Sequence, residues 1–420
     1  MFQTGIAPIN YKDPWTEPFE QRLRTLRRRG ARRRVAYLYE KPDTSTFRYR
    51  IYNMIEALSL TQPDVAAAWF AETEIERLTK LIDICDTLVI CRFRYTHALN
   101  HLVTRAQNLG VTTIFDCDDL VFDSDYVHLI LNTLDQKLEA AAWDHWFAYI
   151  GRMGAALRLC ERVIITNDYL ASKAHQFAPD KDVRVIRNFL NRAQVELSQS
   201  IYDAKLATDW RRDSRLHLGY FSGTPTHNRD FAIAADAIGE LMDEDPRIML
   251  RLVGFADFDN RLARHANRID RHPLQDFLNL QRLMGEVELN LVPLQTNEFT
   301  NCKSELKYFE AGVVGTLTVA SPSFTFIRAI QDGVNGYLAP SYLWSATMRR
   351  AIERMDRYPE MAERAFARVR AAYSPETQTG AILTALFEPQ LHTERPFAVA
   401  GRESPELLLA EPDRQCASGT

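Results

Sequence analysis

From about position 34 onward, short runs rich in Val, Ile, Leu and Phe alternate with longer stretches whose apolar residues recur every three or four positions. That alternation is the mark of parallel βαβ units. The first series predicts strands over 35–40, 66–70, 87–92, 112–116, 162–166 and 183–186. Between them it predicts helices over 47–60, 74–82, 95–109 and 129–159, with another starting at 168. The helix over 47–60 is carried by Tyr49, Ile51, Met54, Ile55 and Leu58, close to a 3.6-residue period. After a polar stretch, 198–213, a second series predicts strands over 216–221, 248–253, 268–271, 289–292 and 317–320. Its helices fall over 230–242, 274–284, 304–314, 324–331, 341–355 and 360–372. No repeat of 20–50 residues is visible. Beyond about 391 the chain turns to Glu, Pro, Arg and Ser without periodicity, so 391–420 is expected to be a disordered tail.

The pattern thus predicts an α/β protein of two Rossmann-like, doubly wound domains facing across a cleft. Ligands of open α/β sheets bind at the carboxyl ends of the strands. Composition places the chain among globular proteins, with 46% hydrophobic and 25% charged residues. No apolar run approaches the roughly 18 residues of a membrane span, and the first 20 residues lack a secretory pattern. Six cysteines without a C-x-x-C pair argue against a disulfide or zinc framework. A soluble, cytoplasmic protein is expected.

The net charge of −4 hides an asymmetry, because positions 1–34 hold nine basic side chains against three acidic ones. Eight arginines lie from Arg22 to Arg34. Such a run suits an anionic membrane surface at the inner face of the membrane, a solvated arm or nucleic acid. No aromatic is interleaved and the remaining chain is acidic, so nucleic acid is not expected as a partner. P-loop, dinucleotide-fingerprint and nucleophile-elbow motifs are all absent from the sequence.

The densest chemistry lies over 297–335. Lys303 and Ser304 open a predicted helix with Glu310 two turns further on. A helix N-terminus with a lysine suits a diphosphate, and an inward Glu310 suits the two hydroxyls of a ribose. The alternative is a surface helix on which Lys303, Glu305, Lys307 and Glu310 are merely solvated. A second cluster, Asp116, Asp118, Asp119 and Asp123, contains D-x-D. It fits a metal site, a cleft-facing role such as orienting an acceptor or serving as base, or a structural turn. Asp116 and Asp119 are the preferred catalytic candidates. Arg48 and Arg50 follow the first strand, but residues two apart do not share a helix face. Arg48 is therefore assigned to the cleft. His227 sits in a Gly-containing turn and is a candidate sugar contact.

Several of these segments resemble glycosyltransferase family 4, of the GT-B fold, in a bacterial polysaccharide-assembly subgroup. The resemblance spans about 33–390. It rests on KSELKYFEAGVVGT with LVPL before it and DGVNGYL after it, on LGYFSGTPTHNRDF, on VIITNDYLASK with VRVIRN, and on KPDTSTFRYRIYNMIEAL with VTTIFDCDDLVFD. The charge run marks 1–33 as a basic arm, and the resemblance implies an acceptor-side domain over 34–205 and a nucleotide-sugar-binding domain over 206–372. A helix over 373–390 would return to the first domain. By the same resemblance the donor contacts would be Gly223, His227, Arg229, Gly254, Lys303, Ser304, Glu305 and Glu310. Lys303 would act on the leaving group, and the acceptor would lie near Arg48, Asp118 and Asp123. The expected reaction is metal-independent transfer of a sugar, with retention, from a nucleotide diphosphate-sugar to a glycan or lipid-linked acceptor in envelope polysaccharide synthesis. No cofactor is expected. The family signature has two glutamates with seven residues between them. Glu310 matches the second, whereas Cys302 occupies the first. An epimerase on the same fold and a non-catalytic scaffold are the competing readings.

Overall fold

The structure, a computed structural model, describes residues 1–133, 139–223, 228–254 and 260–388. His227 and the expected tail lie outside those residues. Among the described residues, twelve strands form two all-parallel sheets. The first contains β1 (Arg33–Tyr39), β2 (Val65–Ala71), β3 (Thr87–Cys91), β4 (Thr112–Cys117), β5 (Arg162–Ile165) and β6 (Asp182–Val185), in the order β2-β1-β3-β4-β5-β6. The second contains β7 (Leu216–Ser222), β8 (Ile248–Gly254), β9 (Ile269–His272), β10 (Leu289–Val292), β11 (Leu317–Ala320) and β12 (Tyr337–Leu338), in the order β12-β11-β10-β7-β8-β9. Helices cover both faces of such sheets, so the inner strands read as unbroken apolar runs. Every residue of β3, β7, β10 and β11 is buried. The chain reverses direction across the first sheet between β1 and β3, and across the second between β7 and β10. Those are the points where a doubly wound sheet opens a crevice.

The predicted strands match these elements to within about two residues, and β12 adds one that was not foreseen. Two helical regions differ more. The stretch 129–159 is two helices, Val127–Asn132 and Ala140–Leu159. The polar stretch 198–213 largely belongs to a helix, Arg192–Ala207, opened by a capping box in which Asn191 and Gln194 bond reciprocally. Its buried face carries Gln194, Ser198 and Lys205 beside Ile201 and Tyr202, and those polar residues masked its period. Gln281 Nε2 donates to Ser198 Oγ at 2.9 Å, so the inward serine is satisfied. The last helix of the described residues, Pro375–Phe387, returns to the first domain. There Thr379 meets Thr61 (Oγ1–Oγ1, 3.1 Å), and Thr87 Oγ1 donates to the Leu386 carbonyl at 3.4 Å.

The basic N-terminal segment is packed against both domains. Phe2 is buried in the second domain's core, its ring 5.2 Å from Tyr358 and 5.9 Å from Trp210. Ile9 N–H donates to Asn279 Oδ1 and the Ile9 carbonyl accepts from Asn279 Nδ2, both at 2.9 Å. Trp15 then lies against Phe277 of the second domain and Phe47 and Tyr52 of the first. A helix, Phe19–Leu26, finishes the segment beside β2, where Arg22 is buried against Glu74 (2.7 Å) and the Trp69 carbonyl (2.6 Å). Arg24, Arg27, Arg28, Arg29, Arg32 and Arg33 remain exposed.

Candidate functional site

A cleft of about 480 Å³ lies where the carboxyl ends of the two sheets face each other. Its first-domain wall is built from Thr46, Arg92, Asp118, Asp119 and Trp146. Arg92 follows β3 with φ of +42°, a conformation that non-glycine residues seldom adopt. This turn points its guanidinium at Thr46 Oγ1 (3.1 Å), Asp118 (3.1 Å) and Asp119 (3.3 Å). Thr46 Oγ1 in turn donates to Asp118 at 3.0 Å. One arginine therefore balances two carboxylates at the wall, leaving it slightly acidic. The sequence reading did not single out Arg92; its place just after a strand at the switch point was the available signal.

On the second-domain wall, Ser222 ends β7 and Gly223 follows it, and Lys303, Ser304, Lys307 and Glu310 line the opposite side. The regular helix begins at Leu306 rather than at 304 and runs to Gly312. Ser304 Oγ is buried without a hydrogen-bond partner. Lys307 is a further residue that sequence reasoning left among solvated charges. Burial pushes its ammonium down to about 8, Lys303 adding to this while Asp230 and Glu310 oppose it. Glu310 is 2% exposed. Its Oε1 accepts from Arg48 Nη2 at 3.2 Å and from the Tyr49 hydroxyl. Burial holds the Tyr49 hydroxyl well above its ordinary pKa, so it stays a donor. Both partners come from a π turn, Arg48–Tyr52, of the kind frequent at functional positions. The two arginines of this turn diverge as their spacing requires. Arg48 reaches across the cleft, whereas Arg50 turns inward to Asp116.

Not all of the residues expected at the site meet in the cleft. Asp116 is 2% exposed and forms a bidentate pair with the fully buried Arg50, at 2.8 and 2.9 Å. Burial raises its pKa even against that arginine. Asp123 caps the following turn by accepting from Asp125 N–H. Glu305 turns away and accepts from the Tyr373 hydroxyl at 2.6 Å, burial raising its pKa. Arg229 lies on the helix Asn228–Glu244 and donates to Asn132 of the first domain. Gly254 does not line the cleft either, but it closes the backbone beside it. Its φ is +89°, and a Cβ there would stand 2.0 Å from the Ser222 carbonyl oxygen, so only glycine fits. Gly223, Lys303, Ser304, Glu310, Arg48, Asp118 and Asp119 are brought together.

Cys302 is fully buried with Phe299 among apolar residues of the first domain, and its carbonyl accepts from Asn167 Nδ2 at 2.7 Å. Its neighbour Glu298 pairs with Lys173 at 2.6 Å. Position 302 thus joins the domains instead of facing the cleft. Among the described residues, one trio could bring three metal-ligand atoms within 4.8 Å of one another: Asp213, His217 and Glu288. It sits by the amino ends of β7 and β10, at the opposite end of the strands from the cleft. The Met1 amino group is 2.6 Å from Asp213 and 3.1 Å from Glu288.

No protein-family model matches this chain, and no curated protein sequence matches it. Solved structures do. The chain is similar to Anabaena Alr3699/HepE, solved in complex with UDP and glucose, at 15% identity and a TM-score of 0.55. The match covers 83% of this chain and 97% of that one. Sucrose-phosphate synthase from Thermosynechococcus elongatus matches at 15% identity and a TM-score of 0.55, over 84% and 97% of the two chains. A glycosyltransferase from Rickettsia africae matches at 11% identity and a TM-score of 0.51, over 83% and 95%. The chain has the two-domain GT-B fold that these glycosyltransferases share.

Proposed function

We propose that the protein is a glycosyltransferase that moves a sugar from a nucleoside diphosphate-sugar to a glycan or lipid-linked acceptor. One observation carries the reading. Lys303, Ser304, Lys307 and Glu310 lie on one wall of a cleft formed at the switch points of two parallel sheets. Two ammonium groups and an unpartnered hydroxyl suit a diphosphate, and the buried carboxylate suits a ribose. The ammonium groups stabilise charge developing on the leaving diphosphate, in the role a divalent cation would otherwise fill, so the transfer is metal-independent. Arg48 and Tyr49 both bond Oε1 of Glu310, which leaves Oε2 for a ribose hydroxyl. Asp118 and Asp119, with Arg92, orient the acceptor hydroxyl from the opposite wall. Closure of the cleft excludes water, which would otherwise compete as acceptor. Retention of configuration, kinship with glycosyltransferase family 4 and a part in envelope polysaccharide synthesis at the cytoplasmic membrane face complete the proposal. The exposed arginines of the N-terminal segment would supply the membrane contact. No described helix is long and apolar enough to cross a membrane.

The test is thermal stability of the purified protein against UDP, GDP, dTDP, CDP and ADP, with Lys303→Ala, Lys307→Met and Glu310→Gln beside wild type. Glu310→Gln is preferred to alanine because it does not leave Arg48 facing a void. At a hundred times its dissociation constant, one nucleoside diphosphate should stabilise wild type by about 2.7 kcal/mol and the variants by much less. Stabilisation by none of the five would sink the reading. The buried Cys302 favours a second reading, a non-catalytic binding protein, which predicts the same stabilisation with no turnover of any sugar donor.

A further inference from the structure

The helix Ala140–Leu159 changes character along its length. Its second half buries Ile150, Met153 and Leu157 in the first domain's core. The same stripe, read back by three- and four-residue steps, continues through Trp146 and Phe147 to Trp143. Trp146 forms part of the cleft wall beside Asp118 and Asp119. Trp143 and Phe147 stand 37% and 47% exposed, with ring centroids 6.3 Å apart. Single exposed apolar residues need no explanation. Here, however, two large rings share one face of the helix on which Trp146, one turn away, lines the cleft.

From this we infer that the aromatic stripe is an acceptor subsite, holding the sugar units of a glycan strand whose end reaches the cleft. The inference rests on the transferase reading above. The faces of aromatic rings carry negative charge density, which attracts the polarised C–H face of a pyranose. Exposed tryptophan offers that surface with few rotatable bonds to order. Charge selects the occupant. Positions 139–151 hold Glu139 and Asp144 and no lysine or arginine, which disfavours an anionic lipid surface and suits a neutral saccharide. The rings would grip the strand behind its reacting end, so longer acceptors would bind more tightly than short ones.

The experiment probes immobilised neutral and acidic oligosaccharides of graded length with the full-length protein, wild type beside a Trp143→Ala/Phe147→Ala double variant. Binding to phosphatidylglycerol vesicles is measured in parallel, and nucleoside-diphosphate stabilisation serves as internal control. The expected result is retention of wild type on neutral glycans, rising with their length. In the double variant that retention should fall by about tenfold or more while nucleotide stabilisation persists. A Trp143→Phe/Phe147→Tyr variant should restore it. Equal retention of the double variant overturns the proposal, as does no retention of wild type on any glycan, or a loss confined to vesicle binding. Failure of nucleotide stabilisation in wild type would instead strike the transferase reading itself.

Discussion

Asp116 and Asp119 stand three positions apart in one acidic run, yet the fold assigns them different physics. Asp116 is sealed against Arg50, whose other amino group, Nη1, donates to the Ile186 carbonyl and to Asn188 Oδ1. Breaking such a pair strands a buried charge, at a cost of about 3–5 kcal/mol. Asp116→Ala should therefore lower the unfolding free energy by that much in a denaturant titration, whereas Asp119→Asn, on a partly exposed wall, should cost about 1 kcal/mol or less. An Asp116→Ala protein of unchanged stability and abolished activity would show that Asp116 is catalytic. The sequence could mark the run as chemistry-bearing but not divide it. Which aspartate meets Arg50 depends on how the π turn lies over β4, a contact between positions 66 residues apart. The i, i+2 rule did separate Arg48 from Arg50, because it concerns one local turn.

At the scale of an element, the segment from Lys303 to Glu310 carries its function as a unit. Lys307 and Glu310 lie three positions apart on the helix, and Lys303 stands in the turn just before it; the sequence pointed to Lys303 and Glu310 but left Lys307 among solvated charges. What spacing does not show is desolvation, and desolvation turns Lys307 from a surface charge into a titrating one. Its ammonium is charged below about 8 and loses its proton as pH rises through that value. Affinity for a nucleoside diphosphate should accordingly fall above about pH 8, by up to about tenfold per pH unit, until the complex itself titrates. Lys307→Arg should abolish that decline, since arginine stays protonated. A wild-type affinity that is flat from about pH 7 to about pH 9.5 would remove Lys307 from the diphosphate site. The helix Arg192–Ala207 teaches the converse. Its period was hidden because Gln194, Ser198 and Lys205 are buried polar residues, and only the partners they meet make that burial tolerable.

Over the whole molecule, alternating strands and helices revealed two doubly wound domains, but not their strand orders. Those depend on which strands pair, and no local signal records pairing. Nor did the first fifteen residues announce their role. Phe2, Tyr11 and Trp15 show no periodicity, yet they lie against partners in both domains. Phe2→Ala should cost about 3–5 kcal/mol, the range for an aromatic removed from a core, despite its position near the start of the chain. A shift in thermal midpoint no larger than that of a surface substitution would show that the segment is not docked in solution. The same wiring has a consequence for synthesis. At about 5–20 residues per second, Phe2 leaves the ribosome tens of seconds before Tyr358, the ring it packs on. The helix Pro375–Phe387, which packs on the first domain, emerges later still. The second domain's core waits for Tyr358 and the first domain's covering waits for Leu386. For most of translation, therefore, the first domain keeps an apolar surface uncovered and Phe2 has no core to enter.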